Sequence, residues 1–395
     1  MACYKGETMQ YSFKKINIIA PFPTRQCGHA SQTRDITVAR DPLCARVTAF
    51  KDENSWIIHY SMDLLAFDLK NRNELQDYLR EYYHDDDLHV ITSTTHTHYA
   101  NDVRNDKYVE YLLDLLKKET VTMEYRDTGK LSVSFQKKHT TAVGKSRISG
   151  YETGYEYLGL IRFYEDDENF LNLIYCNCHP TTLNANVPYF SAEYPGYVLR
   201  KLEAAHPEAN FTFVQGAAGD ISSRFVRSGQ DYEAMKELGD QLYEEAAGLL
   251  EEKAAREPLS VTYKEYPFAY EHEFTPIDLS MIRDDLSDRE RETIEIGQKM
   301  REQMEKSEGG LFGSLSKEVI IATLDLGPVR LVFFPNEIFS AYMDHLTDKE
   351  LLVSYSNGYG PYVLPPDFKF ITYEMFIDTL SKKTKERLIE LFETI

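Results

Sequence analysis

Five short apolar runs in this chain each break off into a cluster of polar residues that can do chemistry. Residues 88–91, Leu-His-Val-Ile, lead to Thr95-His96-Thr97-His98, and residues 171–175 lead to Cys178-His179-Pro180-Thr181. Residues 211–214 lead through Gln215-Gly216-Ala217-Ala218-Gly219 to Asp220-Ile221-Ser222. Residues 329–334 lead to Pro335-Asn336-Glu337, and residues 351–355 to Ser356-Asn357-Gly358-Tyr359. Runs this short, rich in β-branched and aromatic residues, read as buried strands. In α/β sheets the ligand site lies outside the carboxyl ends of the strands. If these strands share a sheet and a direction, their endings meet. The expectation is therefore an α/β fold: one large domain with a mixed, mostly parallel sheet flanked by helices, and an active site at the C-terminal strand ends.

The remaining pattern fits that class. Helices are expected over residues 73–83, 108–118, 194–205 and 232–256, with a last one from about Thr379. Hairpins are expected at 47–50 with 56–60, turned at 51–54, and at 158–163 with 171–175 around an acidic turn. A further hairpin joins 319–324 to 329–334. Residues 280–309 are so charged that they read as a solvated helical excursion or a lid. The 395 residues contain no repeat, low-complexity tract or Pro/Gly/Ser linker, so residues 1–395 are expected to form one domain.

Charge and cysteine usage narrow the partners. A net charge of −20 repels nucleic acid and anionic lipid surfaces. No apolar run is long enough to span a membrane, and the first residues lack the basic-then-apolar order of a secretory signal. The five cysteines (Cys3, Cys27, Cys44, Cys176 and Cys178) have no zinc-ribbon spacing and read as reduced thiols of a cytoplasmic protein.

His96 and His98 would share one face of a strand, which suits a metal or a proton relay. Histidine with carboxylate suits zinc, with an open position for water that ionises near neutral pH. The strand ends supply both, and no Walker loop, GxSxG elbow or HExxH helix points elsewhere. Taken singly, Asp220 also fits a turn or cap, Ser222 an N-cap, and Glu337 the opening of a helix after Pro335.

The ordered set of THTH, HPT, GAAGDIS, the proline-proximal Glu337 and SNGYGPY resembles the catalytic domain of the neutral, non-lysosomal ceramidases. Ala45-Arg46-Val47 and Ser61-Met62-Asp63 are similar to that family's opening strands, so the resemblance runs over about residues 28–373. It implies a zinc amidohydrolase that splits an N-acyl bond. It further implies His96, His179, Glu337 and Tyr359 as Zn2+ ligands, and His98 facing the water and substrate. Ser222 would lie beside the scissile amide, with Arg147, Asp220 and Tyr362 completing the catalytic set.

Three loops depart from the family. Tyr99-Ala100-Asn101-Asp102 replaces a Ser-Gly-Pro-Gly-rich turn, Ser223-Arg224 replaces Pro-Asn, and residues 363–367 replace a Thr-Thr segment. The chain also ends where the family's immunoglobulin-like C-terminal domain begins. The implied metal set survives while the pocket loops differ. The expected substrate is thus a soluble N-acyl small molecule, with ceramide a poor one. Two other readings stay open: a metal-dependent hydrolase of esters or phosphoesters, and a binding protein without turnover.

Overall fold

The computed structural model describes residues 9–28, 33–53, 55–307, 309–310, 313–314 and 317–395. Cys3, Asn54 of the first hairpin turn and Glu308 of the charged excursion lie outside the described residues.

Three larger sheets carry the fold. The first orders its strands Leu88–Thr94, Trp56–Met62, Cys44–Lys51, Gln10–Asn17 and Arg126–Asp127. The second runs Asn210–Gln215, Glu168–Cys176, Tyr157–Glu165, Leu131–His139 and Arg256–Pro258. The third runs Thr262–Ala269, Glu318–Asp325, Arg330–Phe333 and Glu350–Val353. The α/β class holds, but the single, mostly parallel sheet does not. Each of these sheets is antiparallel except for one parallel pair. Short connections dictate this for three pairs, Cys44–Lys51 with Trp56–Met62, Tyr157–Glu165 with Glu168–Cys176 and Glu318–Asp325 with Arg330–Phe333: strands joined by a few residues can only return antiparallel, whereas a parallel partner needs a crossover.

The parallel pairs decide where the site goes. They are Trp56–Met62 with Leu88–Thr94, Glu168–Cys176 with Asn210–Gln215, and Arg330–Phe333 with Glu350–Val353. Every one of the five polar endings leaves a strand of such a pair. The ends are then tied across sheets. Thr94 N donates to Tyr355 O at 3.1 Å, and Asn357 N to Thr92 O at 2.8 Å. Ser354 N donates to Gln215 O at 2.9 Å, while within the third sheet Ser356 N donates to Phe334 O at 3.0 Å. The expected convergence therefore occurs, between sheets rather than within one.

Alternation along the strands explains the layering. In the third sheet Leu331 and Phe333 face a core shared with Phe50 and Ile57 of the first sheet and Ile161 and Phe163 of the second. Val332 and Leu352 face the other way, against Leu388 and Phe392 of the terminal helix Lys382–Phe392. Helices cover the outer faces: Leu69–Tyr83 and Asp106–Thr120 on the first sheet, Glu193–Ala205 and Tyr232–Glu251 on the second. The helix expected over 232–256 stops at Glu251. There the buried Arg162 donates to the carbonyls of Leu250 and Glu252, each at 2.9 Å, and caps the helix end. Arg256–Pro258 is instead an edge strand.

Two further strands, Gln10–Asn17 and Thr262–Ala269, were not among the expected elements. The charged excursion holds the helix Asp288–Ser307, which is not wholly solvated. Ile294 packs with Ile371 and Phe376, and Met304 with Phe339 and Tyr362.

Candidate metal centre

The histidines meet by a route that strand alternation does not supply. The strand ends at Thr94, and His96 takes a left-handed backbone, φ 61°. That turn brings the His96 and His98 rings to 5.0 Å between centroids at 86°, with the His179 ring 4.7 Å from His96. His96, His98 and His179 each offer a ring nitrogen, and these lie within 4.8 Å of one another.

All three imidazoles are fixed from behind. Nδ1 of His96 faces Leu65 O at 2.8 Å, Nδ1 of His98 faces Gly28 O at 3.1 Å, and Nδ1 of His179 faces Ala218 O at 2.8 Å. A carbonyl only accepts, so each neutral ring carries its proton on Nδ1 and turns the Nε2 lone pair inward. Metal-ligating histidines are held in this way. Gly28 is required, because at φ 98° a Cβ would lie 2.6 Å from His98 Nδ1.

Glu337 completes the cluster. It does not open a helix. It lies in the strand Asn336–Ile338, which pairs parallel with Gly360–Val363. Gly219 lets the GAAGD loop close on that strand, since a Cβ there would meet Glu337 O at 2.7 Å. Glu337 Oε1 accepts from the Tyr359 hydroxyl at 2.5 Å. Its Oε2 lies 3.5 Å from His96 Nε2 and 3.2 Å from His179 Nε2, yet none of these three atoms has a hydrogen-bond partner among the described residues. His96, His179 and Glu337 are 1, 1 and 5% exposed. Such orphaned buried atoms are costly, and here they aim at one point. Neutral nitrogen donors beside a carboxylate are the donor set for a divalent ion, and the residues fit one.

Burial, reinforced by Arg147, pulls His179 down to about 4. Burial, then the Glu337 charge, holds the Tyr355 and Tyr359 phenols well above theirs, so both remain O–H donors.

The other expected site residues divide. Ser222 lies one strand spacing from His179, bridged to it in parallel, and caps the short turn Ser223–Phe225 by accepting from Arg224 N at 3.4 Å. Arg147 donates to Gly219 O at 2.7 Å, pairs with Glu374 at 2.9 Å, and lies 5.2 Å from the Tyr362 ring centroid. Tyr362 is paired across the ladder with Glu337 and is buried. Asp220 is turned away. Its carboxylate accepts from Ser340 N at 2.7 Å and Ser340 Oγ at 2.8 Å, and burial pushes it up to about 6. It caps the turn Ser340–His345, which was the alternative its position already allowed.

Tyr355 was not anticipated. Its ring stacks on His96 at 3.9 Å between centroids, and its buried hydroxyl has no hydrogen-bond partner among the described residues. Its left-handed φ of 54° takes it out of strand alternation, so no periodicity could have indicated it.

Beside the centre lies a cavity of about 290 Å³ that Arg147, Thr181 and Ser222 help to line. The histidines and Glu337 do not line it; they stand behind Ser222 and Arg147.

Solved structures share this arrangement of sheets. A neutral ceramidase from Pseudomonas aeruginosa superposes with a TM-score of 0.73 over 98% of this chain and 74% of its own, at 13% identity. The chain has the neutral ceramidase fold. A ceramidase complexed with C2 matches at a TM-score of 0.71 and 13% identity, again over 98% of this chain and 74% of that one. No family model and no curated protein matches the sequence. Among the described residues, no helix of this ceramidase fold is long and apolar enough to cross a membrane.

Proposed function

We propose that this protein is a zinc-dependent amide hydrolase acting on a soluble N-acyl compound. The observation that carries it is the set of orphaned inward atoms, His96 Nε2, His179 Nε2 and Glu337 Oε2, in a ceramidase fold. His96, His179 and Glu337 would hold the ion, and Tyr359 is the fourth partner, kept at the site by its hydrogen bond to Glu337. Zinc, when bound, supplies Lewis acidity and a water ionised near neutral pH. His98, its Nδ1 anchored on Gly28, turns Nε2 toward the same centre and is positioned to pass a proton to the leaving amine. The buried phenol of Tyr355 offers an O–H donor for the developing oxyanion. Arg147 and Ser222 sit where the cavity meets the centre and orient the amide. The single catalytic domain and the cytoplasmic setting expected above belong to this proposal.

The test is metal content by elemental analysis, followed by a panel of short N-acyl amides, long-chain ceramide, esters and phosphoesters. About one zinc per chain is expected, with soluble amides cleaved faster than ceramide and faster than the esters. Ceramide as the best substrate would refute the soluble-substrate reading. No divalent ion after zinc repletion would refute the metal assignment.

A further inference from the structure

The cavity beside the centre runs against the charge of the rest of the chain. The protein carries a net charge of −20, yet the cavity is lined by five arginines, Arg147, Arg224, Arg227, Arg283 and Arg289, against two glutamates, Glu290 and Glu374. Both glutamates are engaged: Glu374 with Arg147 at 2.9 Å, Glu290 with the hydroxyl of Ser149 at 2.6 Å. Arg283 is neutralised outside the cavity by Asp285. Arg227 is fixed by donating to Thr181 O at 2.7 Å, but among the described residues it has no acidic partner within ion-pair distance. The half-buried Arg224 guanidinium makes no hydrogen bond or ion pair with any described residue; it only rests 5.3 Å from the Phe225 ring centroid.

On the rest of that wall, Arg289 projects from the charged helix Asp288–Ser307. Burial lowers Arg224 and Arg227; Arg289 adds to it in both cases, opposed by Glu290 and Glu374 at Arg224 and by Tyr99 and Glu193 at Arg227. Five arginines gathered in a recess with only two carboxylates leave a net positive field that attracts an oxyanion. A guanidinium fork matches carboxylate and phosphate in geometry as well as in charge. Leu183, Leu286, Ile294 and Phe370 supply the apolar part of the wall. At about 290 Å³ the space is at the small end of metabolite pockets.

We propose that the substrate of this site is an N-acyl compound bearing an oxyanion, of which an N-acyl amino acid is the simplest, and that Arg224, Arg227 and Arg289 seat that anion. The proposal rests on the amide-hydrolase reading. Ser222 both lines the cavity and bridges to His179, so a ligand anchored on the arginines directs its amide toward the histidines.

The experiment measures kcat/KM of the zinc-loaded protein for four substrates that share one short acyl chain. They are N-acylglycine, neutral N-acylglycinamide, N-acylethanolamine and the O-phosphate of N-acylethanolamine. Each anionic member should exceed its neutral counterpart by about 10–100-fold, the usual effect of a charge-assisted pair. A preference confined to the first pair identifies a carboxylate, and one confined to the second a phosphate. Arg224→Gln with Arg289→Gln should collapse that ratio toward 1, chiefly through KM. Equal turnover of anionic and neutral substrates would overturn the proposal while leaving the amide reading intact. If no amide is cleaved, the amide reading fails. Calorimetry with N-acylglycine then decides: saturable binding lost in the double variant supports the arginine site, and no binding overturns it.

Discussion

Glu337→Gln should make the metal-free protein more stable and the zinc-treated protein less so. In the chelated wild type at pH 8, Oε1 is answered by Tyr359, whereas Oε2 faces the lone pairs of His96 and His179 at 3.5 and 3.2 Å. A charged oxygen left unanswered in the interior costs about 1–3 kcal/mol. Glutamine keeps an acceptor for Tyr359, and its amide N–H can donate to His179 Nε2, worth about 1 kcal/mol. Against this stands about 1 kcal/mol for losing the charge assistance of the Tyr359 bond. The net is about 2 kcal/mol of stabilisation. For 395 residues the unfolding entropy is roughly 0.8 kcal/mol per degree, so Tm should rise by about 2 °C. Zinc at a thousandfold excess over its Kd should stabilise the wild type by about 4 kcal/mol, or about 5 °C, and the variant hardly at all. Melting curves in chelator and in zinc for both proteins make the comparison. A variant that is destabilised in chelator yet still stabilised by zinc would refute the reasoning.

His96→Ala should lose both metal and activity, whereas His98→Ala should keep most of the metal and lose about 10²–10⁴-fold in turnover, read from stoichiometry and kcat on one substrate. Equal zinc loss in both would make His98 a ligand and displace Tyr359 from the set. Asp220→Ala should cost about 2–4 kcal/mol in denaturant unfolding, because Ser340 N and Oγ lose their acceptors, while zinc content stays near wild type. Lost zinc at unchanged stability would place Asp220 in the site after all. Burial lowers His59 from 6.5 to about 4. The unfolded chain therefore binds the extra proton between those values, and stability falls as pH drops from about 6.5 to 4. Wild type should lose about 2 kcal/mol more than His59→Gln between pH 7 and pH 5, and parallel denaturation slopes would contradict this.

The strand ends were legible in the sequence because a buried strand must be apolar and stops where polar chemistry begins. THTH, HPT, PNE and SNGY therefore marked His96, His98, His179, Glu337 and Tyr359, which the structure gathers in one place. Short connecting turns equally foretold the antiparallel hairpins. Three matters were decided only in three dimensions. Sheet membership was one: apolar alternation says that Leu331 and Val332 face opposite ways, but not that three sheets share the core between them. Side-chain direction was another, since the left-handed turns at His96 and Tyr355 escape any periodicity, and Asp220 is drawn to Ser340, a residue 120 positions away. The last was the cationic cavity. Its arginines come from the segments around 147, 224–227 and 283–289, separated by long stretches of an acidic chain. Charge summed along a sequence is blind to such a gathering, because only the packing of distant segments brings like charges into one recess.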